Sequence, residues 1–99
     1  RAVFISSGAA RDPKAYWGPY AASKAALEAL VRCYAAENAV TPIKANLFNP
    51  GPVRTAMRAK AFPGEDPMTL PTPEDVAPAI VKMLRADCAA SGETIRFQN

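Results

Sequence analysis

The strongest constraint on the fold is a near-unbroken helix pattern, Tyr20 to Glu37, set between two short apolar runs. Ala2 to Ile5 come before it and Ile43 to Phe48 come after it. Short continuous apolar runs of this kind suit strands buried on both faces of a parallel sheet. A second helix pattern opens at Thr72, and Glu93 to Phe97 supply a last strand with Thr94 and Ile95 at its centre. Strand, helix, strand, helix, strand is an α/β order. In open sheets of that class, ligands collect in the crevice outside the carboxyl ends of the strands.

The helix boundaries carry their own chemistry. Pro19 suits a first helical turn, where its missing N–H costs nothing. The first helix is alanine-rich and apolar around most of its circumference, which predicts burial on more than one side. Its polar exceptions, Lys24, Glu28 and Arg32, are successive i,i+4 neighbours and form a stripe. A solvated ladder of ion pairs would use that spacing equally well. Thr72-Pro73-Glu74-Asp75 joins an N-cap threonine to proline and two acids in the first turn. From there a helix should run to Leu84 or Arg85, with Val76, Ala77, Ile80, Val81 and Leu84 as its apolar face. Ala56 to Ala61 has room for one or two helical turns. Phe62 to Pro71 carries Pro63, Gly64, Pro67 and Pro71 and should be irregular.

Composition removes several function classes. Twelve basic and nine acidic residues are interspersed, for a net charge of +3, and form no nucleic-acid stripe. The densest basic patch is Arg54, Arg58 and Lys60, expected in a solvated loop or short helix, with a phosphate contact as the alternative. No apolar run is long enough to span a bilayer. There is no histidine, so neither a Ser-His-Asp triad, a Cys-His pair nor a histidine metal site can be built from these residues. Cys33 and Cys88 lack metal-ligand spacing. Cys33 has apolar neighbours and is expected as a small core residue. Free thiols without a secretory signal fit the cytoplasm. The five glycines show no dinucleotide or P-loop fingerprint.

Chemistry concentrates at three places. Tyr20 and Lys24 are four residues apart, one turn apart on one helix face. An ammonium near a phenol favours the phenolate, and a phenol tuned this way exchanges protons with an alcohol near neutral pH. Ser7 lies thirteen positions before Tyr20, at the end of the first apolar run, with Ser6 as the neighbouring candidate. Asn49-Pro50-Gly51-Pro52-Val53-Arg54-Thr55 follows the second apolar run. Its prolines stiffen the backbone and Gly51 permits close approach by a ligand, although a plain strand-to-helix connection would use the same residues. Tyr16 and Trp17 either cover the core and clamp the next helix or wall a substrate pocket. Met57, Phe62 and Met68 are either lid contacts or ordinary loop anchors.

A strand-end serine, Tyr-x-x-x-Lys and a Pro-Gly-x-Val-x-Thr turn, in this order, resemble the classical short-chain dehydrogenases/reductases. The stretch from Met57 to the second long helix looks closest to uncharacterised bacterial oxidoreductases of that superfamily. The resemblance covers nearly the whole chain and implies the C-terminal part of a Rossmann-like doubly wound parallel sheet. It also implies that residues 1–99 are the C-terminal catalytic part of one such domain, since the family's N-terminal half carries the dinucleotide fingerprint absent here. By the same resemblance Tyr20 is the general acid/base, Lys24 supports it and binds the nicotinamide ribose, and Ser7 holds the substrate oxygen. Tyr20, Lys24, Pro50, Gly51, Val53 and Thr55 would contact NAD or NADP, Val53 through its backbone and Thr55 through its hydroxyl. The expected substrate is a small alcohol or carbonyl compound. The small residues Ala21, Ala22, Ala25, Ala26, Ala29 and Ala36 would pack against a second subunit in a homodimer or homotetramer. Nucleic acid and membrane are not among the expected partners. Extended relatives that share Tyr-x-x-x-Lys are sugar-nucleotide epimerases and dehydratases, and the proline-glycine turn fits them less well. The alternative from another class is a noncatalytic dehydrogenase-like fragment or oligomerisation module that binds no cofactor.

Overall fold

The computed structural model describes residues 1–97. Strands β1 (Ala2–Ile5), β2 (Ala45–Asn49) and β3 (Thr94–Arg96) form one parallel sheet in the order β1-β2-β3. Helix α1 (Gly18–Glu37) connects the first two strands. Helices α2 (Ala56–Ala61) and α3 (Pro73–Leu84) lie between the second and third. The α/β expectation holds, and the sheet with its helices is a piece of a Rossmann-like doubly wound fold.

Strand β2 is the centre of the core because both its edges are paired. Ala2 to Ile5 align with Ala45 to Phe48, and Leu47 to Asn49 align with Thr94 to Arg96. Side chains alternate across a strand, so β2 feeds two layers. Ala45 and Leu47 pack with Val31 and Ala35 of α1, joined by Ala2, Phe4 and Leu27. Phe48 packs with Val76 and Met83 of α3, joined by Val3, Val53, Ile80 and Ile95. Asn46 is buried among them. Its amide donates to the Ala90 carbonyl at 2.9 Å, and its side-chain oxygen accepts from the Glu93 N–H at 3.2 Å, which steers the chain into β3. One edge of β1 has no strand beside it among the described residues.

Register explains where the strands stop. Pairing with β1 begins at Ala45, so Ile43 and Lys44 stay outside the strand. β3 is three residues long because it meets β2 only at Leu47 to Asn49.

Helix α3 starts as its sequence predicts. The Asp75 N–H donates to Thr72 Oγ1 at 3.2 Å, and the Thr72 N–H donates to Asp75 Oδ2 at 2.9 Å, a reciprocal capping box. These bonds, the backbone one first, hold the Asp75 carboxyl below its usual range. The helix continues through Pro78, whose missing N–H removes one internal bond.

Helix faces differ from the expected ones. On α3 the buried stripe is Val76, Ala79, Ile80 and Met83, whereas Ala77 is exposed and Val81 and Leu84 are 52% and 46% exposed. The sequence offers two apolar stripes about one residue apart, and the sheet accepts the one carrying the long, adaptable Met83. On α1 the buried residues are Ala21, Glu28, Val31 and Ala35, all on one side. Ala22, Ala25, Ala26, Ala29 and Cys33 are exposed in this chain, so Cys33 is not a core residue.

Candidate active site

The serines, the start of α1 and the proline-glycine turn lie at or beside the carboxyl end of the sheet. Ser6 and Ser7 follow β1, and Pro50 and Gly51 follow β2. The two turns approach one another: a Cβ added at Gly8 would lie 3.9 Å from the Asn49 side-chain amide. Helix α1 brings Tyr20 and Lys24 to the same end in its first two turns.

Lys24 is the link between helix and strand. Its ammonium donates to the Ile5 carbonyl at 3.0 Å and lies 5.8 Å from the centroid of the Tyr20 ring. It therefore heads no solvated ladder. One of its three protons is used on the main chain two residues before Ser7, and the charge sits beside the phenol. Tyr20 is half-buried, with Trp17 edge-on at 5.7 Å between ring centroids.

The two serines have different surroundings. Ser6 is buried and its hydroxyl donates to Glu28. Ser7 is half-buried with extended backbone, and its oxygen accepts from the Ala9 N–H at 3.2 Å as the cap of a short helical turn. That leaves the Ser7 hydroxyl proton for another acceptor, whereas the Ser6 proton is committed. The two neighbouring candidates thus differ in burial and in the use of their hydroxyl protons.

Glu28 is the site residue that sequence patterning misplaced. It is 4% exposed, turned inward, with Arg32 at 2.9 Å and Arg11 at 3.4 Å on one oxygen and Ser6 on the other. Burial pushes its carboxyl up, and the hydrogen bonds from Ser6, Arg32 and Arg11 more than offset that push, so its pKa lies below the ordinary value. The i,i+4 spacing to Arg32 was the available signal, but nothing local shows which way the pair faces.

After β2, Gly51 adopts φ +66°, and a Cβ there would meet nothing within 4 Å. The glycine is needed for its left-handed backbone, and the space beside it is open. The Asn49 side-chain oxygen accepts from the Gly51 N–H at 3.0 Å and stiffens the turn. The Val53 side chain packs on the Phe48 core, so what it can offer a ligand is main chain. Thr55 Oγ1 accepts from the Arg58 N–H at 3.1 Å and keeps its own proton available. An open turn at Gly51, the Thr55 hydroxyl proton and the Lys24 ammonium are donors of the kind a nicotinamide nucleotide needs, since its amide, ribose and phosphates accept hydrogen bonds.

In the basic patch Lys60 is exposed as expected, but the two arginines are engaged. Arg54 donates to the carbonyls of Pro67 at 2.9 Å and Leu70 at 3.1 Å. Arg58 holds Glu65 through two bonds of 2.8 and 2.9 Å, which keeps the Glu65 carboxyl below its usual range. The Arg58 guanidinium also lies 3.8 Å from the Phe62 ring centroid, and Phe62 stacks on Trp17 at 5.9 Å. Trp17 and Phe62 therefore join the start of α1 to the loop after α2. Tyr16, at φ 70°, is fully exposed, as are Met57 and Met68 in large part.

A profile of the short chain dehydrogenase family matches residues 1–66. The chain belongs to that family. It is 46% identical over 85 residues to the uncharacterized oxidoreductase YciK of Escherichia coli K12, covering 86% of this chain and 33% of that protein. A short chain dehydrogenase from Salmonella enterica serovar Typhi superposes with a TM-score of 0.93 at 40% identity, covering 99% of this chain and 41% of that one. A short chain dehydrogenase from Escherichia coli CFT073, solved in complex with NADPH, superposes with a TM-score of 0.89 at 41% identity, covering 99% and 42%. The chain thus spans between a third and about two fifths of the length of these relatives. Among the described residues no helix is long and apolar enough to cross a membrane.

Proposed function

We propose that this chain is the proton-transfer part of an NAD(P)-dependent oxidoreductase acting on a small alcohol or carbonyl compound. The observation that carries the reading is Lys24, whose ammonium joins the strand end before Ser7 to the ring of Tyr20. Residues 1–99 form the C-terminal part of one Rossmann-like domain, and the open edge of β1 is where the nucleotide-binding half adjoins. Tyr20, Lys24, Pro50, Gly51, Val53 and Thr55 hold the nicotinamide nucleotide. The NADPH complex of a structural neighbour supports that cofactor class.

When bound, the nicotinamide supplies the hydride, with its two electrons, to the carbonyl carbon. Tyr20 gives its phenolic proton to the carbonyl oxygen as the carbon–oxygen π bond breaks, and the product is the alcohol. Lys24 stabilises the phenolate left behind, and Ser7 donates a hydrogen bond to the oxygen on which charge develops. Oxidation of the alcohol runs through the same groups in reverse.

The exposed small-residue face of α1, with Leu30 beside it, is the surface for self-association into a homodimer or homotetramer. Two unpaired cysteines suit the cytoplasm.

The test is Tyr20→Phe in the full-length protein, assayed with NADPH against a panel of aromatic and aliphatic aldehydes and ketones. Turnover should fall by roughly 10²–10⁴ while NADPH binding stays nearly intact. Unchanged turnover in that variant removes the mechanism. A protein that binds no nucleotide is instead a noncatalytic relative.

A further inference from the structure

The Ser7 turn is gripped at both ends by one carboxylate. Ser6, immediately before it, donates to Glu28 Oε2 at 2.5 Å. Arg11, four residues after it, reaches Glu28 Oε1 at 3.4 Å and extends to Thr94 Oγ1 of β3 at 3.1 Å. Arg32 holds the same Oε1 from the next helical turn at 2.9 Å. Ser6 is 3% exposed, so the carboxylate and the hydroxyl are both out of water.

A buried carboxylate is an expensive way to join a helix to a loop. Removing a charge from water costs several kcal/mol, and well-packed apolar residues often stabilise as well or better. What the charge adds is direction. Ser6 and Ser7 are adjacent, and Ser7 is extended, so their side chains leave the backbone on opposite sides. Fixing the Ser6 hydroxyl on Glu28 therefore fixes the side from which the Ser7 hydroxyl leaves the backbone. Glu28 is on the same helix as the proton-transfer pair, one turn beyond Lys24 and two beyond Tyr20. The Glu28 carboxylate therefore ties the turn that bears Ser7 to the helix that bears Tyr20 and Lys24.

We propose that Glu28 is a positioning residue that sets Ser7 against Tyr20 by clasping both ends of the Ser7 turn to α1. This rests on the oxidoreductase reading above. Glu28 touches neither substrate nor cofactor; it acts through Ser6 and Arg11.

The test is a double-mutant cycle in the full-length protein, using the same carbonyl panel and NADPH. Glu28→Ala should lower kcat by roughly ten- to a hundredfold, the scale of a displaced reacting group, with the Kd for NADPH within about twofold. Glu28→Gln keeps an acceptor for the Ser6 hydroxyl and should recover part of the loss. In a Ser7→Ala background, adding Glu28→Ala should change kcat by less than about twofold, because the group it positions is gone. A merely structural Glu28 lowers kcat equally in both backgrounds, and that result overturns the proposal. So does an unchanged kcat in Glu28→Ala. If Glu28→Ala does not fold, Ser6→Ala and Glu28→Gln complete the same cycle. Tyr20→Phe separates the two levels. Abolished turnover there with a silent Glu28 sinks this inference alone, whereas full turnover in Tyr20→Phe, or a wild type inert to every carbonyl tested, sinks the oxidoreductase reading and this inference with it.

Discussion

The Lys24 ammonium donates to the Ile5 carbonyl at 3.0 Å, so a helix side chain is anchored to the last residue of a strand nineteen positions earlier. That bond converts a four-residue spacing on one helix into a fixed relation between helix and sheet. It sets the charge beside the Tyr20 ring, 5.8 Å from its centroid.

Lys24→Met should therefore damage more than charge. It removes both the ammonium beside Tyr20 and the tie to Ile5. In the full-length protein kcat should fall by roughly 10²-fold or more, and NADPH should bind more weakly. Lys24→Arg should not restore activity, because the planar guanidinium cannot reproduce a compact ammonium in the same space. Steady-state kinetics with nucleotide titration checks this; an active arginine variant would show that charge alone suffices.

Acid should loosen the protein partly through Glu28. Its carboxyl is held below the ordinary 4.5, so on acidification the unfolded chain takes up this proton first. The associated stabilisation is whole above that ordinary value and is lost as the pH falls through the folded-state value. As the pH falls below the ordinary carboxylate value and through the lowered folded-state one, the wild type should lose more stability than Glu28→Gln, which has no such proton to bind. Glu65 and Asp75 also have lowered values, and both are present in the two proteins, so the comparison isolates Glu28. Parallel slopes of urea midpoint against pH would count against the buried ion cluster.

Phe48 is the largest side chain closed from solvent and the point where β2 meets α3. Phe48→Ala should cost about 3–5 kcal/mol through lost transfer energy and the cavity left behind. Denaturant unfolding would reveal it as a shifted midpoint at an unchanged m-value. A cost under about 1 kcal/mol would mean that the α3 layer collapses onto the sheet without it.

Thr72→Ala should cost about 1 kcal/mol by releasing the capping box at the start of α3. Thr72→Ser should recover most of that loss, since its hydroxyl can accept from the Asp75 N–H. Thermal unfolding of the three proteins separates loss of the cap from loss of the threonine methyl; equal losses in both variants would assign the effect to the methyl.

Local chemistry marked the elements without help from the tertiary structure. Eighteen residues of helix formers after Pro19, a Thr-Pro-Glu-Asp start and two apolar runs ending in polar turns set the order of strands and helices. Tyr20 and Lys24 share a helix face by periodicity alone, and Gly51 between two prolines marked a stiff turn open to a ligand. What the chain order left open was rotation about each helix axis and the partner of each charge. Alanine on nearly every side of α1 gives the helix no preferred roll, so Cys33 faced outward and Glu28 inward only once the sheet and the Ser6 hydroxyl were in place. On α3 two apolar stripes competed, and packing against Phe48 chose the one with Met83. Arg54 and Arg58 found carbonyls and a carboxylate on the following loop, contacts that spacing cannot announce because the loop is irregular. Periodicity is a property of neighbours along the chain, whereas burial and charge pairing are decided by neighbours across space.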